Sequence, residues 1–389
     1  MRPGPGAGAD TQPRSGVRVE VLRTAEELDR LVPEWEALLA RSASDTIFLS
    51  PDWLRSWWAA YGSGRELIAL RVVSDGSLVG LALLYRGLGQ LVAGMRHRTL
   101  VLLGDGSADS DYLDWISARG QEGTVVAGIL DGLRTSVPGW DLLLLNEIPE
   151  TSPHLARLQA EAATRGWLWH DWRVPCARVS LPASWDAYVK SLKPRMRTKV
   201  RSVLRVMDEE FHARYERLTD LSELEARLQS LYDLHQRRWE ADGKSGVFQT
   251  ATKRDFYALL SRRLLESDRL RFYSLRIGTD YVAHQYCFEY GNRMYLLQEG
   301  LDPAWFEHGA GNALRAHVFQ DCIARGIAVY DFLGGVTAHK LSWGAETVWS
   351  ARVTTGPPSW KNRILFGVRG AKAALKKLLR PERVTEDAG

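Results

Sequence analysis

With 389 residues the chain is too long for one ordinary core, and two domains are expected. Its 45% hydrophobic and 25% charged content is that of a soluble globular protein and excludes a chain too polar to fold. Three scattered cysteines, Cys176, Cys287 and Cys322, form no CxxC pair or Cys/His cluster, which points to reduced thiols and no structural zinc; the net charge is only +4 but is unevenly placed.

Residues 1–16 are rich in Gly, Pro and Arg and lack an apolar run, so they read as a disordered leader, not a signal peptide. Apolar runs such as Leu142 to Leu145 are strand-sized and far short of a membrane span, so the cytoplasm is the expected compartment. Val17 to Leu22 alternates like a strand. Thr24 can cap a helix from Ala25 with Leu28, Leu31, Trp35, Leu38 and Leu39 on one face. Ser50-Pro51 suits the start of a second helix, which carries Trp53, Leu54, Trp57 and Trp58. Glu66 to Val73, the turn Ser74-Asp75-Gly76 and Leu78 to Tyr85 make a hairpin. Strands are predicted at Thr99 to Leu103 and Trp140 to Leu145, with a helix around Thr124 to Arg134 between them. A helix from Ser152 to Arg165 stops at Gly166.

The same order of elements then runs a second time. A strand at Ala213 to Leu218 precedes helices at Leu221 to Trp239 and Lys253 to Leu265. Arg271 to Ile277, the turn Gly278-Thr279-Asp280 and Tyr281 to Tyr290 form a hairpin, and Gly291-Asn292 turns into a third strand, Met294 to Gln298. A loop leads to a helix over Gly311 to Arg325, closed by Gly326, and then to a strand at Ala328 to Leu333.

Strand, two helices, three-strand meander, helix and strand is the order of the GNAT acyltransferase fold, which the chain resembles twice over between residues 17 and 355. The resemblance implies an α/β fold with mixed sheets, built as two tandem GNAT-like domains at 17–180 and 181–356, followed by a basic amphipathic tail at 357–389. A sharper likeness is local. Phe306-Glu307-His308-Gly309-Ala310-Gly311-Asn312-Ala313-Leu314-Arg315, then Tyr330-Asp331-Phe332-Leu333-Gly334-Gly335, then His339-Lys340-Leu341-Ser342-Trp343-Gly344 resemble the signature of the CelD-type GNAT family, named for cellulose and exopolysaccharide biosynthesis. His339 stands where that family more often has Tyr. Upstream, Phe48-Leu49-Ser50-Pro51-Asp52-Trp53 with Trp57-Trp58 is similar to its N-terminal pattern. Doubled GNAT domains also resemble the Fem-type peptidyltransferases, which take amino acids from aminoacyl-tRNA.

The resemblance implies an acyl-CoA donor, acetyl-CoA or longer. The residues make a separate physical case: a loop opening a helix leaves backbone N–H groups unpaired at the positive end of the helix dipole. Gly309 and Gly311 let that backbone approach a diphosphate, and Asn312 or Arg315 could add a polar contact. The same glycines also suit a plain loop and helix cap. In the first pass Gly104-Asp105-Gly106-Ser107 is followed by acids that would repel phosphate, so that domain is expected to shape the acceptor groove.

In GNAT enzymes the acceptor amine attacks the thioester directly, a backbone N–H holds the carbonyl oxygen and a base takes the amine proton. The resemblance assigns the backbone donor to Leu297 or Gln298. Glu299 is the first candidate base and Asp331 the second; His284 could act directly or through water, and Lys340 could hold an acidic group. Each has a structural alternative: a solvated strand end for Glu299, a turn cap for Asp331, a hydrogen-bonded core histidine for His284 and a surface charge for Lys340. No metal is implied.

Two basic segments remain. Met196, Val200, Val203, Leu204, Met207 and Phe211 follow helical spacing, with Arg195, Arg197, Lys199, Arg201 and Arg205 around the other faces. This is either a solvated face or a surface for an anionic partner. In the tail, Ile364, Val368, Ala371, Leu375, Leu378 and Leu379 share a stripe opposite Lys and Arg, a pattern for an anionic membrane surface or for docking on the protein. Of fifteen Trp residues most read as core, and Trp305, ahead of the phosphate loop, is the candidate for sugar stacking. The expected function is acyl transfer from acyl-CoA to an amine of a cell-envelope or exopolysaccharide precursor, a small molecule or saccharide. The alternatives are a tRNA-dependent Fem-like transferase, with no other nucleic acid expected, and a non-catalytic GNAT-fold partner protein.

Overall fold

Short polar caps and one proline set the first helices. The structure, a computed structural model, describes residues 16–368 apart from 88–89, 93–94, 242 and 244–245. The leader, except its last residue, and most of the basic tail therefore lie outside the described residues. β1 (Val17–Leu22) leads into α1 (Ala25–Arg30), where Thr24 and Glu27 form a reciprocal capping box. The single helix expected from Ala25 breaks in two. Leu31 ends α1, and Pro33, with no N–H to donate, sits in the first turn of α2 (Val32–Ala40). Ser50 accepts from the Trp53 N–H and caps α3 (Pro51–Tyr61). β2 (Glu66–Ser74) and β3 (Ser77–Arg86) pair as the predicted hairpin, with Asp75 and Gly76 both at positive φ in the turn. β4 (Gln90–Val92) and β5 (Met95–His97) form a separate ribbon. β6 (Thr99–Leu102), β7 (Ile116–Ser117), α4 (Glu122–Ser136), β8 (Leu142–Pro149) and α5 (Leu155–Thr164) complete this half.

β9 (Leu168–Ser180) leads to the second half, which opens with α6 (Trp185–Ser191), α7 (Pro194–Glu209), β10 (Arg214–Arg217), α8 (Leu224–Ala241) and α9 (Ala251–Glu266). A meander follows, of β11 (Leu270–Ile277), β12 (Asp280–Tyr290) and β13 (Arg293–Leu301). The half ends with α10 (Ala310–Ala324), β14 (Val329–Gly334), α11 (Ala338–Ser342) and β15 (Glu346–Gly356), after which residues 360–368 are helical.

β9 and β15, which periodicity did not reveal, join the halves. The main sheet has 13 strands in the order β1-β2-β3-β6-β8-β15-β9-β14-β13-β12-β11-β10, with β7 on β3. β9, the last strand of the first pass, lies between β14 and β15, and β15, the last of the second pass, lies against β8. Each pass thus lends its final strand to a position beside the other. The β9–β15 ladder runs from Glu346 opposite Arg178 to Gly356 opposite Leu168, which leaves no open edge where the halves meet.

The core follows the same continuity. One apolar cluster covers the first half and reaches into the second, where Phe48 and Trp53 meet Phe256, Phe288 and Tyr295 edge to face. A second cluster lies within the second half and includes Tyr188, Phe319 and Trp343. It absorbs the predicted apolar face of α7, since Met196, Val200, Val203 and Met207 are buried.

Candidate active site

The site begins where two strands part. β13 and β14 run parallel only across Arg293–Tyr295 and Val329–Asp331. Just beyond, the β12–β13 ladder slips: Cys287 faces Leu296 and Tyr286 faces Gln298, so Leu297 bulges out with no residue opposite it. Leu297 and Gln298 line a cleft of about 540 Å³ between the halves, together with Asp111 and Glu147 from the first half and Leu333 and Lys340 from the second. A neighbouring cavity of about 280 Å³ is lined by Phe306, Gly309, Gly311, Asn312, Arg315 and His339. Arg238 of α8 and Glu299 of β13 line both spaces and mark their junction.

The small cavity is shaped by its glycines. Gly309 caps α10 at φ +77°, in the left-handed region, and a Cβ there would lie 2.7 Å from a Val203 methyl of α7. At Gly311 a Cβ would meet Leu301 at 3.0 Å. The first turn of a 15-residue helix therefore meets the cavity as bare backbone. Asn312 Oδ1 lies 3.2 Å from His339 Nε2. Arg315 turns the other way: its guanidinium binds the Glu299 carboxylate, lies 3.2 Å from His339 Nδ1 and sits over the Phe332 ring at 5.1 Å. Burial, then the Arg315 charge, push His339 down to about 4, so its ring is neutral.

The structure brings the predicted site residues together unequally. Glu299 accepts from Arg315 and from Gln285 Nε2 at 2.9 Å. Burial alone would raise its carboxyl, but the Arg315 and Arg238 charges hold it below the usual carboxylate range. Such a carboxylate is a weak proton acceptor. His284 is buried, with Nε2 2.8 Å from Ser230 Oγ and Nδ1 2.8 Å from Ser274 Oγ, and burial lowers its pKa to about 3. Lys340 Nζ donates to the carbonyls of Phe332, Gly334 and Gly335 at 2.8–2.9 Å. It thereby holds the end of β14 closed on itself. Asp331 is buried and lines a separate cavity with Arg178 and Arg293 instead of the cleft; it accepts from Tyr112 Oη at 3.1 Å and from the Leu333 N–H at 2.8 Å, and is raised by burial to about 6.

Asp111 was not among the predicted residues. It is half-buried in the cleft wall. Burial raises its carboxyl, the charges of Glu147 and Asp331 add to the effect, and Lys340 opposes it, leaving a pKa of about 7. The acidic run after Gly104, read in sequence as a poor phosphate loop, crosses to the second half. There Asp109 pairs with Lys253 at 2.8 Å and accepts from Tyr257 Oη at 3.0 Å. That crossing carries Asp111 to the cleft, and nothing local in the sequence signals it.

Other features fall elsewhere. Ser117, His154 and Asp114 lie in a triad-like row, 2.6 and 3.0 Å apart, but Ser117 and His154 are fully buried and line neither cavity, so the row ties β7 to the start of α5. Trp305 packs on Phe211 at 4.9 Å, and Phe306, 43% exposed, faces the small cavity instead. Of the predicted tail stripe, Ile364 is exposed and Val368 half-buried, while Leu365, off that stripe, is the buried residue, and residues 369–380 lie outside the described region. Among the described residues no helix is long and apolar enough to cross a membrane, and no cluster of three His, Cys, Asp or Glu is placed to hold a metal.

The parting of β13 and β14, the bulge at Leu297 and the glycine-opened start of α10 surround the two cavities. Residues 194–341 match the family described as acetyltransferase (GNAT) domain. The fold is similar to that of FemX, with a TM-score of 0.61 at 11% identity over 86% of this chain and 96% of that one. It is also similar to the C-terminal domain of a putative lysylphosphatidylglycerol synthetase from Agrobacterium fabrum, with a TM-score of 0.53 at 10% identity over 94% and 100% of the two chains. L-PGS from Bacillus licheniformis gives 0.50 at 12% identity over 83% and 90%. At these identities the likeness is one of fold. No curated protein matches the sequence significantly. The match to the acetyltransferase (GNAT) domain thus covers residues 194–341, less than half of the chain.

Proposed function

We propose that the protein is an N-acyltransferase that takes an acyl-CoA donor in the small cavity and an amine acceptor in the cleft between the halves. The observation that supports this most is the meeting of the two spaces at Glu299 and Arg238, beside the bulged backbone of Leu297. In this reading the first turn of α10 holds donor phosphates, and the Leu297 or Gln298 N–H holds the thioester carbonyl. The acceptor amine loses its proton to Asp111, whose pKa of about 7 suits a base at neutral pH. Glu299 orients Arg315 and the loop, and Lys340 fixes the strand end beside the acceptor. The acceptor class, an amine of a cell-envelope or exopolysaccharide precursor, follows from the resemblance to the CelD-type family, and the cleft volume accommodates a sugar-sized group.

Calorimetric titration with acetyl-CoA and longer acyl-CoAs tests the donor. Micromolar binding by the wild type, abolished in Gly311→Trp, is expected. Absence of binding by folded wild-type protein would overturn the donor assignment. A second reading, aminoacyl-tRNA as donor, draws on the basic side of α7. Arg195, Lys199, Arg201 and Arg205 are exposed there, and the Lys199 charge reaches His339 in the small cavity. That reading predicts charged-tRNA binding that weakens steeply with salt and is insensitive to free coenzyme A.

A further inference from the structure

The cations around the reaction cleft differ in one respect. Arg352 is held by the Glu147 carboxylate, Arg315 by Glu299, and Lys340 by three backbone carbonyls. Arg238 is partly buried on α8 and faces both spaces, yet among the described residues its guanidinium makes no hydrogen bond or ion pair. Taking a guanidinium partly out of water without a partner is unfavourable unless a ligand supplies the missing anion. The group also stands at the junction that an acceptor amine must reach. A simple ammonium arriving there would meet a like charge, whereas an amine whose own molecule carries an oxyanion would satisfy Arg238 as it docks.

We infer that the acceptor is an amine bearing a carboxylate or phosphate, and that Arg238 selects it by binding that oxyanion while the amine faces Asp111. Guanidinium geometry suits either anion, because its planar fork donates two parallel N–H groups. This inference rests on the acceptor placement proposed above, but its test needs no donor. The balance of charges supports it: Glu299 is paired with Arg315 and Glu147 with Arg352, so Arg238, which lines the same cleft as Asp111, has no carboxylate within ion-pair distance among the described residues. An acceptor with an acid and an amine complements that pair, and a neutral amino sugar does not.

The test is calorimetric binding of four acylated, product-like compounds: N-acetylalanine, N-acetylalaninamide, N-acetylglucosamine 6-phosphate and N-acetylglucosamine. The acid-bearing member of at least one pair should bind at least ten-fold more tightly than its neutral counterpart. The pair that discriminates distinguishes carboxylate from phosphate. Arg238→Met should abolish the preference, and Arg238→Lys should retain part of it. The side chain makes no hydrogen bond or ion pair among the described residues, so both variants should fold as the wild type does. Equal binding within both pairs, or a preference that survives in Arg238→Met, would overturn the inference. So would loss of acyl-CoA affinity in Arg238→Met with acid preference intact, since the guanidinium would then serve the donor. Failure of acyl-CoA titration alone would sink the donor assignment and leave this result standing.

Discussion

Asp111 is where burial and chemistry conflict most openly. Its folded-state pKa of about 7 lies well above the ordinary aspartate value, so the folded protein holds that proton more tightly than the unfolded chain. The group's stability contribution is full below the unfolded value and is lost as pH rises through about 7. Asp111→Asn should therefore melt higher than wild type at pH 8, with the gap narrowing toward pH 5. The same variant should lose about 10²–10⁴-fold in kcat and the rising limb of the pH–rate profile near pH 7, with acyl-CoA affinity retained. Retained turnover with an unchanged profile would remove Asp111 from the reaction. His284 has the opposite sign. Its depressed pKa, about 3, means that the unfolded chain binds the extra proton, so stability is present above about 6.5 and falls as pH drops toward 3. The slope should approach about 1.4 kcal/mol per pH unit within that window. Denaturant titrations of wild type and His284→Gln should differ in slope there and run parallel above pH 7.

At the level of elements, the loop that opens α10, the proposed donor site, depends on α7 and α10 meeting closely. Gly309 combines φ +77° with a 2.7 Å approach to Val203, so alanine there meets both backbone strain and a clash. Gly309→Ala should cost about 1–3 kcal/mol in urea unfolding and weaken acyl-CoA binding at least ten-fold. Unchanged binding would place the donor elsewhere. The basic side of α7 is the other half of this arrangement: burying Met196, Val200, Val203 and Met207 leaves Arg195, Lys199, Arg201 and Arg205 turned outward.

For the whole molecule, the exchange of final strands and the shared aromatic cluster predict a single cooperative transition. Val353 is fully buried on β15, opposite Leu145 of β8 and Asp171 of β9. Val353→Asp should lower one calorimetric transition for the whole chain, because an unpaired carboxylate there disrupts strands of both halves. Two separated transitions, with only one shifted, would show that the halves unfold independently. Trp53→Ala, at the cluster where Phe48 and Phe288 meet, should cost about 3–5 kcal/mol and shift the same transition.

Much of this was legible from residues near one another in the chain. Thr24 with Glu27, Ser50-Pro51 and Asp75-Gly76 mark their caps and turn because capping and positive φ are local requirements. The alternation of β11, β12 and β13 and the Gly309–Gly311 opening of α10 were readable for the same reason. What the sequence by itself determined was the repeated order of elements and the glycine-rich opening of α10. Tertiary structure decided the rest. β9 and β15 carry mixed polar and apolar residues, and each lies between two strands of the other pass, so no simple period announces them. It likewise decided that Glu299 is neutralised by Arg315, that Lys340 turns inward to three carbonyls and that the Asp111 carboxyl is raised to about 7. The reason is physical: protonation and pairing depend on the charges and solvent within a few ångströms, and the chain path brings together groups from 5 residues apart, as Lys340 and Gly335, to more than two hundred, as Asp111 and Asp331.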